Sequence, residues 1–96
     1  MLIDKGLTAG EVVTVKLING EEIIARYVSE NDKTYSLEKL LALSMGPKGI
    51  GLIPYTFTVD PDKTLNINKD TVVVIANTAK EFADQYMQST TGIALS

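Results

Sequence analysis

The sequence predicts a small, mainly β domain in which five short strands roll into a barrel or sandwich and one amphipathic helix follows them. Three observations carry this expectation: apolar and polar residues alternate early in the chain, turn-forming dipeptides recur at short intervals, and one late segment switches to a helical period. The chain has 96 residues, 45% apolar and 22% charged, with Lys+Arg 9 against Asp+Glu 12 and a net charge of -3. A single domain spanning residues 1–96 accounts for this length. A domain of this size hides only about 60–65% of the surface that its unfolded chain exposes, so association with a partner surface is expected to help it.

Residues 1–10 carry two glycines and no sustained alternation, and read as a lead-in with room for one short helical turn. The first strand is expected at 11–18, where Val13, Val15 and Leu17 share one face and Thr14 and Lys16 the other. Asn19-Gly20 supplies a tight turn into a second strand at 22–29. There Ile23, Ala25 and Tyr27 alternate with Ile24, Arg26 and Val28, so both faces are partly apolar and the second must also touch something, in a bent sheet or at a neighbouring subunit. After the polar turn Glu30-Asn31-Asp32-Lys33, a third strand is expected at 34–44, although Leu40-Leu41-Ala42-Leu43 also suits a helix.

Gly46-Pro47-Lys48-Gly49 breaks the chain before a fourth strand at 50–59, and Pro54 within it argues for a bulge or a sheet edge because proline has no N–H to donate. Leu65 and Ile67 lead across Asn68-Lys69-Asp70 into a fifth strand at 71–76, whose run Val72-Val73-Val74-Ile75 reads as buried on both faces. A helix is expected over 78–88. Thr78 and Glu81 have capping-box spacing, and Ala79, Phe82, Ala83, Tyr86 and Met87 form one apolar stripe opposite Lys80, Asp84, Gln85 and Gln88. Ser89-Thr90-Thr91 beyond it has low helix propensity.

Composition also narrows the chemistry. With His 0 and Cys 0, the chain has no imidazole base, thiolate, disulfide or soft zinc ligand, so we expect no enzyme, no catalytic residues, no metal and no cofactor. The lack of a long apolar run or a basic leader leads us to expect a soluble cytoplasmic protein without membrane attachment. Its acidic balance opposes a broad grip on nucleic acid but leaves room for a small local site. Glu21-Glu22 and Asp60-x-Asp62 place carboxylates close together, yet lack the further oxygen ligands of a calcium loop and read as solvated turns. The glycine-rich Gly46–Gly51 segment matches no phosphate-binding loop, and Lys48 in it is a minor candidate for anion contact.

Taken in order, Val13, Val15, Leu17, Gly20, Ile23, Ala25 and Tyr27 resemble the first motif of the Sm and Sm-like (Lsm) family, alternating apolar residues followed by Leu-x-x-Gly and then a small and an apolar residue. The resemblance implies a strongly bent, five-stranded antiparallel barrel that pairs its fourth strand with the fifth strand of the next copy. It thus implies a closed homo-oligomeric ring of roughly five to seven subunits. The whole chain, through Tyr86 and Thr90-Thr91-Gly92-Ile93, is also similar to small Sm-like proteins of cyanophage type, a likeness that brings no activity with it. A helix at the C-terminus departs from the family's N-terminal one.

RNA-binding members of the family carry Asp-x-x-x-Asn after the second strand and Arg-Gly before the fifth. Asn31 and Tyr35 stand at the first pair of positions here, and Asn68 and Lys69 at the second. These four are the candidate contacts for single-stranded RNA, with Tyr35 able to stack on a base and Lys69 able to meet a phosphate. The structural account, which we prefer, makes Tyr35 a packed strand aromatic and both asparagines turn residues. Two functions follow as expectations: a ring that binds single-stranded RNA, or a phage structural or protein-interaction ring that binds none.

Overall fold

The computed structural model describes residues 6–91. They form a mainly β protein with one C-terminal helix. Strands β1 (Val12–Leu17), β2 (Glu22–Glu30), β3 (Thr34–Gly46) and β4 (Gly49–Pro54) follow one another, then β5 (Thr64–Asn68), a 3-10 turn (Lys69–Thr71), β6 (Val72–Asn77) and helix α1 (Lys80–Thr91). The antiparallel sheet runs in the order β4-β3-β2-β1-β6, with β5 also paired to β3. Tail residues 92–96 and the first five of the lead-in lie outside the described residues; Gly6–Gly10 contains a turn, closed where Glu11 N–H donates to Thr8 O at 3.1 Å.

Alternation sets the core. Val13, Val15 and Leu17 on β1 meet Ile23, Ala25 and Tyr27 on β2 and Leu37 and Leu40 on β3, all buried. Leu65 and Ile67 from β5 and Val72 and Ile75 from β6 pack against the same cluster, so the two ends of the sheet curl toward one centre. Asn19-Gly20 turns as expected: Gly20 takes φ +94° and its N–H donates to Leu17 O at 2.9 Å. Pro47 and Lys48 form the tip of the β3–β4 hairpin, between paired Gly46 and Gly49.

The segment at Leu40–Leu43 is strand, and β3 is the longest element of the sheet. Its Lys39 lies in the left-handed region, at φ 53°. That residue is an insertion in the ladder: β2 advances from Ile24 to Arg26 while β3 advances from Leu41 to Glu38. A bulge of this kind bends a strand and changes which face the following residues occupy, so that Leu37 and Leu40 both reach the core.

The bend also corrects the expected fourth strand at 50–59. Its ladder ends at Pro54, which lacks an N–H, and Tyr55 N–H donates instead to Leu40 O at 3.0 Å beside the bulge. The chain then departs through residues 55–63 and returns as β5, which pairs Thr34–Glu38 while β4 pairs Leu41–Gly46. Leu65 and Ile67 are therefore a strand of their own, making six strands where five were expected.

A second correction concerns Val72–Ile75. This run is not buried on both faces: Val73 is 62% exposed and Val74 50%. The reason is position, since among the described residues β6 is a terminal strand of the sheet and forms its ladder with β1.

The helix also differs from its expected form. It runs from Lys80 to Thr91, and the Thr78 hydroxyl meets Thr14 Oγ1 at 2.8 Å rather than closing a box with Glu81. Together with Thr78 N–H donating to Val12 O at 3.0 Å, this fixes the helix entrance to β1. Thr90 Oγ1 donates to Tyr86 O at 3.1 Å, a back-bond that satisfies the hydroxyl inside the extended last turn. The apolar stripe lies across the outer face of the sheet, which accounts for the second apolar face of β2: Ile24 is buried there, near Thr14, Leu43 and Phe82.

Tyr86 is fully buried, and its hydroxyl donates to Lys39 O at 2.8 Å. Burial first, and then the Glu38 charge, push its phenol from 10.0 up to about 12 against an opposing Arg26. Because the fold favours the neutral phenol, its contribution is complete below pH 10.0 and is lost as pH rises toward about 12. Tyr86→Phe is expected to lower stability by about 1–2 kcal/mol, since it removes a buried hydrogen bond and leaves a carbonyl underserved. It should also reduce the alkaline loss of stability; urea unfolding of both proteins at neutral and alkaline pH measures the two effects.

Candidate nucleic-acid interface

The four sequence candidates come from two distant stretches, and the fold brings them to one end of the sheet. Asn31 opens the β2–β3 turn. Its Oδ1 accepts from Lys33 N–H at 2.8 Å and Thr34 N–H at 2.9 Å, which is the local role that asparagine takes in turns. Tyr35 stands on β3 opposite Ile67, and Thr34 stands opposite Asn68, so strand pairing sets β5 beside the turn. Lys69 continues from β5 and its N–H donates to Lys33 O at 2.8 Å. Asn31 and Asn68 are both exposed.

Lys69 Nζ lies 4.8 Å from the centre of the Tyr35 ring, within cation–π range. The same ammonium donates to Glu30 Oε2 at 2.7 Å. Glu30 is held from its other side, where Oε1 accepts from Tyr27 OH at 2.8 Å. A chain of contacts therefore runs from the buried Tyr27 through Glu30 and Lys69 to Tyr35.

The electrostatics follow from these contacts. The bond from Lys69 and the bond from Tyr27 hold the Glu30 carboxyl below its usual value, and burial opposes them. The Glu30 bond in turn raises Lys69. Burial first, and then Glu30, push the Tyr27 phenol up to about 12. Glu30, Asp32 and Asp70 share this end with Lys33 and Lys69, so it is not a basic patch.

Sequence reasoning located the four candidates but missed Glu30 and Tyr27 as their partners. The i,i+3 spacing of Tyr27 and Glu30 was visible, but nothing in the sequence linked Glu30 to Lys69, 39 positions later. Asn31 does build the turn through its side-chain carbonyl and Tyr35 does pack against the core, but Asn68 is not a turn residue: it is the last residue of β5, held in the ladder opposite Thr34, and the turn begins at Lys69. What the cluster can do chemically is hydrogen-bond through exposed amides and offer one ammonium, provided that Glu30 gives it up.

The other sequence features lie elsewhere. Asp60 accepts from Asp62 N–H at 2.9 Å, and Asp62 pairs with Lys39 at 2.9 Å, so these carboxylates serve the 55–63 loop. Glu22 pairs with Lys16 at 3.7 Å. No group of three or more His, Cys, Asp or Glu residues suited to a metal occurs among the described residues, and none of their helices is long and apolar enough to cross a membrane. A separate concavity of about 500 Å³, lined by Leu40, Leu41, Pro54, Phe57, Leu65 and Thr90, contains none of the four candidates.

The depressed Glu30 carboxyl gives a direct check. Its contribution to stability is present above the ordinary glutamate value of 4.5 and is lost as pH falls through its lowered value. In Lys69→Ala the Glu30 titration is expected to move upward, toward the ordinary carboxylate range; carbon-detected NMR titration of the side-chain carboxyl reads this shift. No protein-family profile matches the chain, and no curated protein matches it in sequence.

Proposed function

We propose that this protein is a non-enzymatic, Sm-like subunit that closes with copies of itself into a ring and presents the Asn31, Tyr35, Asn68 and Lys69 cluster to single-stranded RNA. The observation that carries the assembly is the apolar edge strand β6, with Val73 62% and Val74 50% exposed. At the other end of the sheet order, Ile53 on β4 is 45% exposed. An apolar edge strand is an aggregation hazard unless it is covered or paired. Head-to-tail pairing of the two edges removes both hazards, and a fixed rotation between copies closes the set instead of extending it into a filament. The motif from Val13 to Tyr27 supports the same arrangement.

The RNA reading rests on the convergence of the four residues at one end of the sheet, so that a ring repeats them around its axis. The alternative, a phage structural or protein-interaction ring, is favoured by the Glu30–Lys69 pair and by the acidic balance of the chain. Oligo-uridine titration separates them. Under the RNA reading, binding weakens as salt rises and Lys69→Ala weakens it further; no binding across a range of salt leaves the alternative.

Solution mass tests the assembly. The wild type is expected to give one discrete mass of roughly five to seven subunits. Val73→Lys, which puts a charge on the edge, is expected to shift it toward the monomer while retaining β-sheet circular dichroism. A wild type that remains monomeric at high concentration would overturn the ring.

A further inference from the structure

We infer that Glu30 is a built-in competitor for Lys69, occupying the ammonium in the free protein and yielding it when an RNA phosphate arrives. This inference rests on the RNA reading above. The geometry supports it in three ways. Glu30 Oε2 sits 2.7 Å from Lys69 Nζ, the place that a phosphate oxygen would take. Its other oxygen is anchored at 2.8 Å to Tyr27 OH, whose ring is part of the buried core, so the carboxylate is aimed by the fold. The Lys69 and Glu30 side chains are only partly screened, at 29% and 36% exposure, which leaves the pair open to an incoming ligand.

Exchange at this site is close to balanced. Phosphate replaces carboxylate on the same ammonium, while Glu30 retains the Tyr27 hydroxyl and gains water. Partly exposed ion pairs are weak, so displacement does not forbid binding, but it lowers affinity and adds repulsion between Glu30 and the phosphate. The cluster is then selective for strands that also engage the amides of Asn31 and Asn68, because one phosphate contact alone gains little.

Fluorescence anisotropy with a labelled oligo-uridine strand tests this. Glu30→Gln is nearly isosteric and is expected to bind about twofold to fivefold more tightly for each subunit engaged, with a steeper decline as salt rises. The gain should disappear in a Glu30→Gln, Lys69→Ala double variant. Asp70→Asn removes a charge of the same sign nearby and should give much less. Tyr27→Phe frees the carboxylate from its anchor without altering its charge and is expected to give a smaller gain, with its fold checked by circular dichroism. An equal gain from Asp70→Asn would reduce the effect to net charge and overturn the inference. Wild-type binding with no gain in Glu30→Gln would overturn it while leaving the RNA reading standing. If no variant binds, the RNA reading fails and the competitor role fails with it.

Discussion

The left-handed bulge at Lys39 is the constraint on which the rest of the architecture depends. A residue with a side chain is less stable there by about 1–2 kcal/mol, and the structure supports the position from outside the strand. The Tyr86 hydroxyl reaches the Lys39 carbonyl at 2.8 Å, and the Lys39 ammonium reaches Asp62 at 2.9 Å. Fully burying an aromatic side chain is worth about 1.5–3 kcal/mol, enough to offset the strained conformation. In return, the bulge divides β3 into two segments that take different partners along one edge, and it directs both Leu37 and Leu40 into the core.

This bend links the helix to the sheet and the sheet to the candidate site. With the outer face of β2 covered by α1, Ile24 is buried without contributing to the inner core. The N-terminal half of β3 is left for β5, and that pairing alone carries Asn68 to Thr34 and Lys69 to the Lys33 carbonyl. Without it, the two halves of the candidate cluster have no reason to meet. The architecture therefore couples a helix at one end of the chain to the position of polar groups at the far end of the sheet.

At those groups, local electrostatics temper the functional reading. Lys69 is already neutralised by Glu30 and stacked over Tyr35, while Asn31 uses its carbonyl to build the turn. A cluster satisfied in this way is a structural clasp as well as a candidate ligand contact, and the two roles share the same atoms. The edge strand with exposed valines differs, because among the described residues nothing covers its apolar surface in a comparable way.

Much of the fold was legible in the sequence because it is written at short range. Alternation from Val13 to Tyr27 marks the first hairpin and its core face, Asn19-Gly20 marks its turn, and Phe82, Ala83 and Tyr86 mark the helix. The four site candidates were legible as positions, but their common location was not. Pairing between β3 and β5, the Glu30–Lys69 bond and the Tyr86–Lys39 bond join residues tens of positions apart. The exposure of Val73 and Val74 was misread for the same reason: a β-branched run reports strand propensity, whereas only its place in the sheet decides what covers it. By itself the sequence determined strand, turn and helix through local periodicity and backbone preference. Tertiary structure decided which edges stay open and which charges meet, because those depend on where the chain bends.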